Sequence, residues 1–311
     1  MRERFSFFAA PPDAARQKEI YRYFEKEHPA LFCGVCGRSV LGTPLRFFSV
    51  GQGARTVLYI GTHHGMEWLT ALLLFRFLDD LAVAAERRGL SDPLPPGVRL
   101  LVLPLLNPDG VEIALHGAEG GGILAPRLRE IRPGGDFCTW QANARGVDLN
   151  HNYDAGFAAY REREREAGIF GPAPTRYSGE YPFSEPETAA VYRLLQIFSP
   201  ALTLTLHTQG EEIYYHPVTP PVPHAAEIGA TLARLTGYRL GEAEGLAAYG
   251  GMSDYLAEKC RLPAFTLECG LGKNPLPIAQ GKTIYRRLRR VLFLSLALAG
   301  KEGDGDGTLF G

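Results

Sequence analysis

The chain has 311 residues, 45% hydrophobic and 22% charged, with 33 basic against 34 acidic side chains and a net charge of −1. That balance supports a sizeable core and gives no one-signed field to steer the protein toward nucleic acid or a membrane surface. Five cysteines, an odd number in a chain too large to need staples, read as reduced thiols. No run approaches the roughly 18 apolar residues of a spanning helix; the longest, near Val291–Ala299, is about half that. A secreted disulfide scaffold, a membrane protein, a collagen-like fibre and a disordered chain are thereby excluded. Met1-Arg2-Glu3-Arg4 leads into no sustained apolar run, so a cytoplasmic location is expected.

Residues 1–36 are expected to be a helical lead-in, with Cys33-Gly34-Val35-Cys36 in a turn before the first strand; no second cysteine pair completes a zinc ribbon. Leu45–Val50 reads as a strand, and Gly51-Gln52-Gly53 as a hairpin turn into Arg55–His64, a run rich in β-branched and aromatic residues. Glu67–Glu86 repeats leucines and Phe77 at helical spacing, and Gly89 can close that helix. Val98–Leu105 is a second apolar strand, so strand, helix and strand form a βαβ unit with a buried sheet. From Gly110 to Asn143 there is little periodicity, as in a long functional loop. Ser184 and Glu187 form a capping box ahead of a helix over Thr188–Phe198. Ala201–His207 is a strand, His224–Leu235 a helix closed by Gly237, Ser253–Lys259 a short helix and Ala264–Cys269 a strand. Thr283–Leu298 is the last helix, its Arg286, Arg287, Arg289 and Arg290 on a solvated face, and 300–311 is a Gly/Asp-rich, frayed tail. Without repeat or linker, the expectation is one α/β domain over 37–299, a mixed, largely parallel twisted sheet flanked by helices.

Of eight histidines, His28, His116, His216 and His224 stand in contexts without evident partners and read as surface or structural residues. His63 reads as structural, on the strand face opposite its neighbour. His64 ends an apolar strand three residues before Glu67, at a strand-to-helix junction of the kind where open α/β sheets place ligands. A histidine and a glutamate so spaced can share one Zn²⁺ if the turn aims both the same way. Alone that pair is a weak signal, and a third ligand must come from elsewhere. His207 ends another apolar strand and is either that ligand or a hydrogen-bonded core histidine. Glu268, at the end of the hydrophobic strand Phe265-Thr266-Leu267, needs a partner, a solvated cleft or a task, and Cys269 beside it reads as a buried thiol. No H-E-x-x-H, Walker loop, G-x-S-x-G elbow or Rossmann fingerprint is present.

The set His64-x-x-Glu67, NPDG at 107–110, GVDLN at 146–150, His207 and Thr266-x-Glu268 resembles the zinc metallocarboxypeptidase family, with its motifs in the family's order over nearly the whole chain. The resemblance implies a single α/β domain and one Zn²⁺ per chain held by His64, Glu67 and His207. It also implies Glu268 as general base, Asp148 as the carboxylate behind His64, and Asn150 as part of the grip on a substrate carboxylate. The strings His207–Tyr215, Tyr177-Ser178-Gly179, Ser184–Thr188 and Trp140–Asn143 look like the bacterial branch that cuts γ-D-glutamyl-diamino-acid bonds in peptidoglycan stem peptides. A small murein peptide is the implied partner.

Three positions depart from the family pattern. His151 stands where digestive-type members carry an arginine after the asparagine, and Gln141 where many carry an oxyanion-stabilising arginine. The mobile tyrosine of the family aligns with Leu246, with Tyr249 the nearest tyrosine. The expected substrate contacts are accordingly Asn150, His151, Gln209 and Tyr249, with Gln141, Arg132 or Arg145 assisting at the oxyanion. The enzyme alternatives are an ordinary carboxypeptidase or a zinc deacylase of N-acyl amino acids. A non-catalytic binding module is disfavoured by the presence of all three ligands together with Glu268.

Overall fold

The structure, a computed structural model, describes residues 5–90, 92–241 and 245–300. In chain order the described elements are α1 (Ala14–Glu27), β1 (Phe32–Arg38), β2 (Pro44–Val50), β3 (Arg55–Gly61), α2 (Leu69–Arg88), β4 (Val98–Leu103), α3 (Pro108–His116) and α4 (Ala125–Ile131). They continue through α5 (Phe157–Glu166), α6 (Pro186–Phe198), β5 (Leu202–His207), β6 (Glu212–Tyr214), α7 (Ala225–Thr236), β7 (Arg239–Gly241), α8 (Met252–Tyr255), β8 (Ala264–Glu268) and α9 (Gly281–Gly300). The strands form one sheet in the order β1-β2-β4-β3-β5-β8-β6-β7. Its centre, β4-β3-β5-β8, is parallel, while β1, β2 and β6 join antiparallel.

Parallel strands covered on both faces carry near-continuous apolar runs, and the central strands do so for a visible reason. Val57 and Tyr59 of β3, with Leu100 and Val102 of β4, turn to the core under α2 and α9. Their neighbours Leu58, Ile60, Leu101 and Leu103 turn to the other core, under α6 and α8. This alternation, the period of two of a strand, makes one domain of three layers. α2 ends where expected: Gly89 adopts φ 63° and its N–H returns to the last turn, a conformation that favours glycine.

Several expectations are corrected. Gly51–Gly53 makes no hairpin, because β4 lies between β2 and β3; β2 pairs with β4, Phe48 opposite Val102. The crossover through α2 places β4 parallel beside β3 on that side and leaves β2 the next position out. Cys33 and Cys36 sit in β1, an edge strand, so the sheet begins before residue 37, and both thiols are free. The aperiodic stretch after Gly110 holds α3, a 3-10 segment over Gly117–Leu124, and α4; pieces of two or three turns are too short to display a period. The cap of α6 is Glu185, with Pro186 at the first helical position. Ser184 instead donates to Glu185 Oε1, and Glu187 is buried, accepting from Val40 N–H and the Asn143 amide. His28 has partners: Asp79 and Glu86, each 3.0 Å from a ring nitrogen. Beyond Gly300, the expected tail lies outside the described residues.

Candidate active site

β3 stops at Gly61, three residues short of His64, and the turn that follows shapes the site. Thr62 takes φ 58°, costly for a β-branched residue, and its N–H donates to Thr70 Oγ1 at 2.8 Å. Gly65 donates to the Gln141 carbonyl at 2.9 Å. A Cβ there would lie 2.3 Å from the Gly110 backbone, so the close approach requires glycine. Asn107, just past β4, ties these segments together. Its amide NH₂ lies 3.0–3.2 Å from the carbonyls of His63, Gln141 and Ala142, and its Oδ1 accepts from Gly110 N–H.

The turn delivers His64 and Glu67 to the C-terminal ends of β5 and β8, where His207 and Glu268 are register partners. Glu67 is buried and receives both histidines: His64 Nδ1 is 2.8 Å from Oε1 and His207 Nδ1 is 3.0 Å from Oε2. One ligand atom from each of His64, Glu67 and His207 lies within 4.8 Å of the others. Two imidazoles and a carboxylate are a donor set suited to zinc with an open coordination position. Behind His64, its Nε2 donates to Asp148 Oδ1 at 3.1 Å, which fixes the ring. Asp148 is held in turn by the N–H groups of Asn150 and Arg176. His63 stacks on His207, 5.2 Å between centroids, and its Nε2 meets the Tyr153 hydroxyl.

Burial opposes ionisation of Glu67, yet His64 and His207 outweigh it and bring its carboxyl down to about 2. Burial likewise works against charge on His64, and the carboxylates of Glu67 and Asp148 overcome it, raising that ring well above the ordinary histidine range. His63 goes the other way: burial, then its histidine neighbours, keep it neutral. Glu268 is raised well above the usual carboxylate range, by burial and then by the negative charge of Glu67. A divalent cation would relieve both effects of Glu67, pairing with its charge and favouring ionised Glu268. The residues therefore fit a metal ion.

His64, Asp148 and Glu268 line a cleft of about 550 Å³, with Gln141, Thr175, Arg176, Tyr249 and Asp254 also in its lining.

Residues 18–286 match the family of peptidases described as zinc carboxypeptidases. The chain belongs to the zinc carboxypeptidase family. It is 32% identical over 268 residues to gamma-D-glutamyl-L-diamino acid endopeptidase 1 of Lysinibacillus sphaericus, an alignment covering 84% of this chain and 66% of that protein. Murein peptide amidase A of Escherichia coli is 28% identical over 176 residues, 55% of this chain and 57% of that one. The crystal structure of carboxypeptidase A from Helicoverpa armigera shares the fold, with a TM-score of 0.74 at 20% identity, covering 98% of this chain and 77% of that one. No helix among the described residues is long and apolar enough to cross a membrane.

The positions that depart from the family pattern lie as follows in the fold. Gln141 lines the cleft, and its Oε1 accepts from the Thr175 hydroxyl, which leaves the amide NH₂ as the group available to a ligand. Asn150 and His151 also line it. His151 stacks on Tyr160 at 4.1 Å and its Nδ1 donates to the Tyr249 carbonyl. Burial lowers its pKa, so it stands as a neutral imidazole at neutral pH. Leu246 and Tyr249 both line the cleft, the latter under the Arg163 guanidinium at 4.6 Å. Arg132, Arg145 and Gln209 are not brought to it: Arg132 donates to Thr139, Arg145 lies 3.7 Å from Glu185, and Gln209 is exposed beyond His207. Arg176, which enters from a segment without periodicity, is absent from the residues the sequence singles out, and His216, read there as surface or structural, lines the cleft and faces Asp254 at 3.5 Å. The Tyr-Ser-Gly string beginning at 177 was the available pointer to Arg176.

Proposed function

We propose that this chain hydrolyses the amide between γ-D-glutamate and a diamino acid such as meso-diaminopimelate in soluble peptidoglycan stem peptides, using one zinc ion per chain. The observation that carries the reading is the convergence of His64, Glu67 and His207 beside Glu268, in a chain 32% identical to a γ-D-glutamyl-L-diamino acid endopeptidase. His64, Glu67 and His207 would hold the metal, and Asp148 would keep His64 in the tautomer that offers Nδ1. When bound, zinc polarises the scissile carbonyl and acidifies water. Glu268 takes the proton of the attacking water and returns it to the departing amine, general acid–base work of about 10²–10⁴-fold. Gln141 offers an amide donor to the developing oxyanion, while Asn150, His151 and Tyr249 contact the substrate. Five free cysteines support a reducing, cytoplasmic setting.

The test is mass spectrometry of the zinc-loaded protein with L-Ala-γ-D-Glu-meso-diaminopimelate, beside peptides ending in Phe and in Lys. Release of diaminopimelate ahead of any C-terminal trimming is expected. Efficient removal of C-terminal Phe with the tripeptide intact would make the protein an ordinary metallocarboxypeptidase instead.

A further inference from the structure

Among the described residues lining the cleft, Arg176 is the one arginine or lysine, set against the carboxylates of Asp148, Asp254 and Glu268. A substrate with several carboxylates therefore has one guanidinium to meet. Three observations make Arg176 a built feature. Its backbone takes φ 68°, a left-handed conformation uncommon for a residue with a side chain. Its N–H donates to Asp148 Oδ2 at 2.9 Å, so its main chain is pinned to the carboxylate that orients His64. Its neighbour Thr175 donates to Gln141, which fixes the segment to the cleft wall a second time. The residue is exposed, and among the described residues no ion pair holds its guanidinium, so the charge is available to a ligand. Strained backbone persisting where surrounding bonds over-determine it is a mark of functional positions.

We infer that Arg176 is the carboxylate anchor of the cleft and takes the free α-carboxylate of the γ-D-glutamyl residue. The diamino acid on the leaving side brings a free ammonium group beside its own carboxylates, and for that ammonium the cleft supplies Asp254. On the other side of the scissile amide, the glutamyl α-carboxylate is the anionic group, and a planar guanidinium can hold it by two parallel hydrogen bonds. His151 offers no positive charge there at neutral pH, being a neutral ring already bonded to the Tyr249 carbonyl. Arg176 thereby becomes a specificity residue that separates γ-glutamyl peptides with a free α-carboxylate from those amidated to isoglutamine.

This inference rests on the γ-D-glutamyl reading above, and binding separates the two without turnover. The zinc-loaded protein is titrated calorimetrically with L-Ala-D-Glu and with L-Ala-D-isoglutamine, which share the γ-carboxylate and differ only at the α position. Wild type should bind the first about 10- to 100-fold tighter. Arg176→Asn, which tolerates the left-handed backbone, should bring the ratio near one with zinc content unchanged. Arg176→Lys should fall between, because an ammonium lacks the fork. A ratio unaltered in Arg176→Asn, or no preference in wild type, overturns the anchor. If the preference depends on Arg176 while the stem tripeptide is left uncut, the anchor stands and the proposed reaction falls.

Discussion

The two halves of the site are made differently. His207 and Glu268 are the last residues of adjacent parallel strands, placed opposite each other by backbone register alone. The residues facing the rest of the cleft, from Gln141 to Arg176 and from Leu246 to Asp254, hang on segments with little regular structure, tied down by side chains such as Asn143, Asn107 and Asp148. Strand ends within a packed sheet cannot shift without disturbing the core. Loops held by individual hydrogen bonds can be re-cut one contact at a time. In the proposed reaction the rigid half supplies His207 and Glu268, the turn beyond β3 supplies His64 and Glu67, and substrate choice falls to the adjustable half.

Substitutions should divide along that line, from the largest effect downward. His207→Ala should abolish zinc binding and activity together, with elemental analysis and a melting scan as the readout. A site that binds only the native state contributes about 4 kcal/mol when free zinc is a thousandfold above Kd, and that increment should vanish with the metal. Full zinc retention in the variant would remove His207 from the rigid half. Glu268→Gln should keep its zinc and lose at least about two orders of magnitude in kcat; activity within tenfold of wild type would move the proton shuttle elsewhere.

Asp148→Asn probes the border between the halves, since a loop residue there orients His64 on the turn beyond β3. Zinc affinity is expected to fall about 10- to 100-fold, measured by competition with a chelator; unchanged affinity would confine Asp148 to holding the loop. The smallest effect concerns the scaffold. Burial, and then the charge of Asp109, push the Glu187 carboxyl up to about 8, so it is protonated in the folded protein at neutral pH. A folded pKa above the unfolded value means that its contribution is fully present below about pH 4.5 and is lost as pH rises toward 8. Glu187→Gln should therefore gain on wild type by a few degrees in melting temperature between pH 5 and 8, and no further above. A difference that ignores pH would show that Glu187 is ionised throughout.

The same division explains what could be read from the sequence. His64, His207 and Glu268 close apolar runs that read as strands, and Glu67 opens the helical pattern three residues after His64, so position and chemistry coincide in the linear text. Arg132 and Arg145 are expected to assist at the oxyanion, yet neither lines the cleft: Arg132 donates to Thr139 and Arg145 lies beside Glu185. Arg176 is held at the cleft by its N–H on Asp148, 28 residues earlier, and by the Tyr160 hydroxyl on its carbonyl, contacts no local pattern encodes. His216 reads as partnerless for the same reason, its partner Asp254 being remote in sequence. The misplaced hairpin at Gly51–Gly53 shows the other limit: turn chemistry is local, whereas the choice of strand partner belongs to the crossover.

Asn107 bears on any effort to move this centre into another protein. One amide reaches the carbonyls of His63, Gln141 and Ala142 while its oxygen takes the Gly110 N–H, so the turn bearing His64 has its shape only when three distant stretches of chain are already in place. A graft of the four residues from His64 to Glu67 onto a foreign strand would carry the ligands without their aim. The smallest transferable unit is the β3–β4 pair with Asn107 and the 141–142 segment. A recipient scaffold would have to match all of these before a metal assay said anything about the ligands themselves.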